Sequence, residues 1–131
     1  MKPGIASGIL DALRVQPGVR VAILFGSMAA GNEDRDSDVD LAVDIGRPLT
    51  ASQKMELIGR IAETTGRPVD LVDLRTVGVP LLGQILRHGV RIVGSNTDYA
   101  ALVRKHLFDS ADFMPYRSRI LLARRRAWIG R

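Results

Sequence analysis

The stretch Leu24-Phe25-Gly26-Ser27, separated by ten residues from Asp38-Val39-Asp40, decides how this chain folds and which chemistry it can support. The run from Val19 to Phe25 is apolar except for one arginine, which is typical of a buried strand. From Asp38 to Val43, apolar side chains alternate with aspartates and an alanine in the two-residue period of a second strand. The pattern therefore predicts a glycine–serine turn after one strand and two carboxylates on the next. Together these features can hold a nucleoside triphosphate and a divalent cation.

Asp38 and Asp40 are two residues apart, so on a strand both carboxylates project from the same face. Adjacent carboxylates repel each other, and a divalent cation removes that conflict. Oxygen ligands suit Mg²⁺ or Mn²⁺, which also bind substrate phosphates. Taken alone, this short motif more often marks two solvated aspartates at the edge of a strand.

Gly26 and Ser27 make up the turn that follows the first strand. Without a Cβ, the backbone at Gly26 can approach a ligand closely or adopt a positive φ. Free N–H groups at a turn entering a helix attract phosphate, and the Ser27 hydroxyl can add a donor. The alternative is an ordinary strand-to-helix turn with Ser27 as its N-cap.

Asp70 is the third candidate acid, and it lies on a predicted strand from Val69 to Leu74. If this strand neighbours the Asp38–Val43 strand, Asp70 stands beside Asp40 and can take the proton from an attacking hydroxyl. Asp73 is the alternative, although strand alternation puts it on the opposite face. Either residue can also be a strand-end aspartate that faces water.

The remaining pattern predicts a mixed sheet of about four strands flanked by helices, an α/β (α+β) fold. Helices are expected over 5–13, over 51–64 with a capping box from Thr50 and Gln53, over 77–87, and from a cap at Ser95 to Phe108. The helix over 51–64 is expected to bury a stripe of Met55, Ile58 and Ile61–Ala62. A short edge strand is expected over 90–93. We predict one domain over 1–131, in which residues 96–131 are a helical, arginine-rich extension that Pro115 breaks or kinks.

Composition excludes several classes of protein. The chain has no cysteine, which excludes disulfides and thiolate metal sites, and it has no apolar run long enough for a membrane span. The N-terminus lacks a signal-peptide pattern, so we expect a cytoplasmic protein. The net charge of +5 comes from residues 113–131, which carry six of the 19 basic residues and no acid, leaving 13 basic against 14 acidic residues elsewhere. A solvated helix face and a partner contact are equally good explanations of this charge, and direct nucleic-acid binding comes third, because basic residues with only one nearby aromatic are a weak signal.

The combined motif resembles that of the DNA polymerase beta-like nucleotidyltransferases. The stretches 23–31 and 37–43 look like the minimal nucleotidyltransferase branch, as do 68–74 and 85–94, and the resemblance covers about residues 5–95. It implies a nucleotidyltransferase fold in which Asp38, Asp40 and Asp70 are the catalytic, metal-binding triad. It also implies that Gly26, Ser27 and Ser37 bind the nucleotide, with ATP as substrate and Mg²⁺ or Mn²⁺ as cofactor.

The same resemblance implies a partner. Minimal nucleotidyltransferases commonly resemble the antitoxin of a two-gene system whose toxin is a HEPN-type ribonuclease, and such an antitoxin transfers AMP to a toxin tyrosine. The compact length leaves no room for an acceptor-binding domain, so we expect a partner protein to complete the site or to be the acceptor. An oligomer with that partner is a further expectation, and no membrane is expected.

One position departs from the branch, which often has arginine just before the second glycine of the loop, where this chain has Ala30. Arg35 is a candidate substitute for that cation. The departure keeps open a second reading, in which the chain is a non-catalytic antitoxin that neutralises its partner by stoichiometric contact. A third reading, transfer to a small molecule such as an aminoglycoside, is disfavoured because no acceptor domain is expected.

Overall fold

The computed structural model describes residues 3–31 and 37–113, and the side chains of 4–31 and 37–110. Its elements follow one another as listed here: α1 Pro3–Val15, β1 Val21–Phe25, α2 Gly26–Ala30, β2 Val39–Asp44, α3 Ala51–Thr65, β3 Val69–Asp73, α4 Val79–His88, β4 Val90–Val93 and α5 Asn96–Phe113. The predicted order of helices and strands is confirmed, and boundaries shift by a few residues. Arg35, the candidate substitute for the missing cation, the kink at Pro115 and residues 114–131 of the arginine-rich extension lie outside the described residues.

The four strands form one mixed sheet in the order β3-β2-β1-β4. β1 pairs antiparallel with both β2 and β4, whereas β2 and β3 run parallel. Parallel neighbours need a crossover connection, which α3 supplies. β4 lies at the edge of the sheet, as predicted.

Two apolar layers enclose the sheet, and β1, β2 and β3 contribute alternate residues to them. α1 and α3 cover one face, where Ile9, Leu57 and Ile61 pack on Leu24 and Leu41. α4 and α5 cover the other face, and the residues that pack there include Ile23, Ala42, Leu74, Leu82, Ile85 and Leu102. The fold is therefore an α/β architecture in which one end of β2 carries acids between two covered faces.

α3 is held at both ends by the residues that the sequence singles out. The Thr50 side chain accepts from the Gln53 backbone N–H at 3.0 Å while the Gln53 side chain accepts from the Thr50 N–H at 2.9 Å, so the predicted capping box is confirmed. The helix ends at Gly66, which has a φ of +68°. The predicted stripe was partly wrong, because Met55 is 69% exposed and the fully buried residues are Leu57 and Ile61.

No helix in the described part of the chain combines the length and the apolar character that a membrane crossing requires.

Candidate active site

The parallel pair of β2 and β3 places two acidic residues side by side. Asp40 and Asp70 are register partners in this ladder, and neighbouring strands of a sheet lie only about 4.8 Å apart. Both residues belong to the sheet face that also carries Ala42 and Val72, which pack in the α4/α5 layer. The predicted juxtaposition of Asp40 and Asp70 is therefore observed.

The electrostatics of Asp40 reflect this crowding. Burial raises the pKa of the Asp40 carboxyl above its ordinary value, and the negative charges of Asp70 and then Asp38 raise that pKa further. A carboxylate that is destabilised by two others is one that a cation would stabilise. The structure thus supplies the physical conflict that metal binding relieves.

Gly26 lies directly against Asp40. Phe25 is the register partner of Asp40 across the antiparallel β1–β2 pair, so the next residue turns over the carboxylate. Gly26 has a φ of +70°, and a Cβ placed there would overlap Oδ2 of Asp40 and come within 3.0 Å of its Cγ. Position 26 therefore needs glycine for two reasons, the backbone conformation and the space that Asp40 occupies.

Ser27 belongs to the short helix α2, which starts at Gly26. Phe25 is the N-cap residue, and its side chain makes no capping hydrogen bond. The alternative in which Ser27 is an ordinary N-cap is therefore wrong, and the Ser27 hydroxyl does not serve as a cap at the mouth of the Gly26 turn. Ala30 is exposed near the end of the same helix.

Asp38 and Ser37 precede β2, which begins at Val39. Asp38 is exposed, and its charge reaches Asp40 strongly enough to raise the pKa of that carboxyl. Among the side chains of residues 4–31 and 37–110, however, no three acidic, histidine or cysteine groups converge as a ready-made metal site. The structure brings Asp40 and Asp70 together, and the convergence of Asp38 with them stays a prediction.

The turn between α3 and β3 holds the segment that carries Asp38. Nη1 of Arg67 donates to the Ser37 carbonyl at 3.0 Å, and the Val39 N–H donates to the Pro68 carbonyl at 2.8 Å. The sequence does not reveal the Arg67 contact, because the two residues lie 30 positions apart. The only local hint is that Arg67 stands in the turn immediately before the Asp70 strand.

Asp73 is the alternative acid, and the structure gives it a different task. It is 9% exposed, and its two carboxylate oxygens accept from the Leu49 N–H at 2.7 Å and from the Arg75 N–H at 2.9 Å. Its neighbour Leu71 packs in the α1/α3 layer, opposite the face of Asp70. Asp73 therefore ties the loop before α3 to the end of β3 and does not stand beside Asp40.

The donor set fits a hard divalent cation. Asp40 and Asp70 offer only carboxylate oxygens, which Mg²⁺ and Mn²⁺ prefer, and the repulsion at Asp40 gives binding a driving force. The missing side chain at Gly26 leaves room for the Asp40 carboxylate itself, which occupies the position that a Cβ would take. Two carboxylates plus substrate phosphates are a common way to hold Mg²⁺.

Comparison with known proteins agrees with this geometry. The family described as polymerase beta nucleotidyltransferase matches residues 8–98. Protein adenylyltransferase MntA of Shewanella oneidensis is 34% identical over 82 residues, which are 63% of this chain and 59% of that protein. The chain thus spans about three-fifths of the length of this curated relative.

Solved structures share the fold over nearly the whole chain. A chain in the crystal structure of a toxin–antitoxin with AMP-PNP has a TM-score of 0.74 and 29% identity, and the match covers 95% of each chain. A chain in the structure of tri-AMPylated Shewanella oneidensis HEPN toxin in complex with MNT antitoxin has a TM-score of 0.68 and 27% identity, covering 96% of this chain and 93% of that one.

Proposed function

The chain belongs to the polymerase beta nucleotidyltransferase family, and we propose that it transfers AMP from ATP to a tyrosine hydroxyl of a partner HEPN-type toxin, acting as an antitoxin. The observation that carries this proposal is the Asp40–Asp70 pair beneath Gly26. The similarity to a protein adenylyltransferase, and to chains solved with AMP-PNP and with an AMPylated toxin, supports the choice of donor and acceptor. A donor drawn from the ATP pool is consistent with a cytoplasmic setting.

Each residue has a role in the proposed reaction. The acceptor oxygen attacks the α-phosphorus of ATP, the bond from that phosphorus to the bridging oxygen breaks, and pyrophosphate leaves. Asp70, beside Asp40 on the edge strand β3, accepts the proton of the attacking hydroxyl. Gly26, Ser27 and Ser37 orient the phosphates, so positioning supplies a large share of the rate.

Asp38, Asp40 and Asp70 would hold Mg²⁺, or Mn²⁺ in its place. When bound, such ions neutralise the triphosphate and stabilise the attacking and leaving oxygens. The protein's own contribution is the close spacing of the carboxylates: burial and the charges of Asp70 and Asp38 raise the pKa of Asp40, and a bound cation would relieve the same destabilisation of its charged form.

The test is a mass measurement on the acceptor. The chain is incubated with ATP, Mg²⁺ and the HEPN-type protein encoded by the neighbouring gene. We expect the mass of the acceptor to rise by one or more adenylyl units, and Asp40→Asn to abolish the rise. An unchanged acceptor mass with the wild-type chain would remove the proposal.

A binding antitoxin without catalysis is the second candidate, and the exposed Ala30 in α2 favours it, since the family branch often has a cation there. The joint replacement of Asp38 and Asp40 by asparagine separates the two functions. Toxin neutralisation that survives both replacements at equimolar antitoxin would establish stoichiometric binding. Neutralisation that disappears with the adenylyl mass would establish transfer.

A further inference from the structure

Asp40 and Asp38 are held very differently. Asp40 is paired on both sides, with Phe25 of β1 and with Asp70 of β3. Asp38 lies outside the ladder, because the strand begins at Val39. The direction of its carboxylate therefore depends on what fixes the backbone just before β2.

The turn between α3 and β3 fixes that backbone through a rigid chain of bonds. Thr65 Oγ1 donates to the Ile61 carbonyl at 2.7 Å and accepts from the Arg67 N–H at 3.3 Å. Gly66 ends α3 in the left-handed conformation, with its N–H bonded to the Ala62 carbonyl at 2.8 Å. The backbone of Arg67 is thus anchored to the helix.

From this anchor the half-buried Arg67 side chain reaches across to the segment before β2. Its Nη1 donates to the Ser37 carbonyl at 3.0 Å, a charge-assisted bond of good length. Two residues further along, the Val39 N–H is bonded to the Pro68 carbonyl. Asp38 is therefore bracketed by two contacts, both made by neighbouring residues of the same turn.

We propose that Arg67 is a positioning residue for the metal and nucleotide site, holding the Ser37 carbonyl so that Asp38 stays at the start of β2, where a cation bound by Asp40 and Asp70 can recruit its carboxylate. This inference rests on the proposed function for its consequence, because Asp38 matters only if the carboxylates bind a cation. Arg67 itself touches neither phosphate nor acceptor in this account. Groups that orient metal ligands typically affect metal affinity or activity by about 10- to 100-fold when they are removed.

The variants are Arg67→Ala, which removes the donor, and Arg67→Lys, which keeps one ammonium able to donate to the Ser37 carbonyl. Arg60→Ala is the matched control. Arg60 lies on α3, its side chain is 32% exposed, and its ion partner is Glu56 at 3.5 Å. Arg60→Ala also removes a guanidinium, and it leaves the observed contacts to residues 37–39 in place.

The first measurement is amide hydrogen exchange in the protein without ligands. We expect Arg67→Ala to speed exchange of the Val39 amide by about tenfold or more, while the Leu41 amide in the middle of β2 keeps its protection. Arg60→Ala should leave both amides unchanged. Unchanged Val39 exchange in Arg67→Ala would overturn the inference.

The second measurement is Mn²⁺ binding in the presence of a non-hydrolysable ATP analogue, followed by electron paramagnetic resonance of free Mn²⁺. We expect about 10- to 100-fold weaker Mn²⁺ binding in Arg67→Ala, partial recovery in Arg67→Lys and wild-type binding in Arg60→Ala. Equal losses in Arg67→Ala and Arg60→Ala would indicate general destabilisation and contradict a positioning role. If Arg67→Ala does not fold, Arg67→Met decides, because it keeps an aliphatic stem and lacks a donor. We expect weaker Mn²⁺ binding than in the wild type, and an affinity equal to wild type would overturn the inference.

The two proposals fail separately. A wild-type chain that modifies no acceptor but loses Mn²⁺ affinity on removal of Arg67 would sink the adenylyl transfer alone. If the wild-type chain modifies its acceptor and Arg67→Ala needs the same Mn²⁺ concentration as the wild type, the positioning role alone would be contradicted.

Discussion

The backbone of Gly26 lies against the carboxylate of Asp40, so closely that a Cβ at position 26 would overlap Oδ2. This contact makes the end of β1 and the start of β2 one unit, because Phe25 and Asp40 are also register partners. The Gly26 turn, which would receive the phosphates, and Asp40, which would hold the cation, thus fix each other's position.

Gly26→Ala should damage activity far more than its backbone strain alone would. An L-residue in the left-handed region costs about 1–2 kcal/mol, and at Gly26 the added methyl would also displace Asp40. Gly31→Ala is the matched control, since Gly31 has a φ of +76° and no atom of the described residues within 4 Å of a Cβ. We expect similar backbone costs in thermal unfolding, and adenylyl transfer reduced at least about tenfold more in Gly26→Ala. Equal activities would show that Asp40 does not need its place beneath Gly26.

Asp40→Asn should stabilise the protein while abolishing transfer. Asn has the same shape and removes a negative charge that burial disfavours most and that Asp70 and Asp38 also oppose, so the free energy of unfolding without metal should rise near neutral pH. Activity should fall by at least about 100-fold, beyond the loss expected for a residue that only supports a metal ligand. Chemical denaturation and the acceptor-mass assay measure the two effects. A destabilised Asn variant would mean that the repulsion at Asp40 is already offset in the free protein.

The stability gained in Asp40→Asn should depend on pH. Because the pKa of Asp40 is raised in the folded chain, ionisation of Asp40 disfavours folding above that pKa and has no such effect once the carboxyl is protonated in both states. The gain of the Asn variant over wild type should therefore be largest near neutral pH and disappear as the pH falls toward the ordinary carboxyl range. Urea unfolding of both proteins without metal, across that range, provides the measurement. A gain that is constant with pH would exclude Asp40 as its source.

Substitutions at Asp70 and at Asp73 should have opposite effects on activity and on stability. Asp70 is exposed beside Asp40, so Asp70→Asn should abolish transfer with little change in thermal stability. Asp73 is buried and accepts two backbone hydrogen bonds, so Asp73→Ala should cost about 2 kcal/mol or more of stability. The folded fraction of Asp73→Ala should remain active. If folded Asp73→Ala were inactive and Asp70→Asn were active, Asp73 and not Asp70 would be the catalytic acid.

Local patterns in the sequence predicted the parts of the fold that local physics controls. Strand alternation alone placed Asp70 on the face of Val72 and placed Asp73 on the opposite face, and both placements are observed. The capping box at Thr50 and Gln53 could also be predicted from the sequence, because both partners lie within one helical turn.

Features that depend on distant parts of the chain were harder to predict. In α3 several apolar residues compete for the buried face, and packing on α1 and the sheet selects Leu57 and Ile61 and leaves Met55 in solvent. The Arg67–Ser37 contact arises only because β2 and β3 pair in parallel, which no local pattern encodes. The roles of Asp38, Ser27 and Ser37 stay predictions for a different reason: they concern contacts to a ligand and not the packing of the chain.

The parallel crossover has a consequence for how such a protein can diverge. Asp40 and Asp70 meet only while β3 keeps its phase with β2, since a shift of one residue would turn Asp70 toward α1 and α3 and bring a leucine or valine into its place. A single residue gained or lost between Gly66 and Asp70 would place an apolar side chain beside Asp40 instead of the Asp70 carboxylate. This short turn should therefore tolerate changes in length less than any other part of the chain.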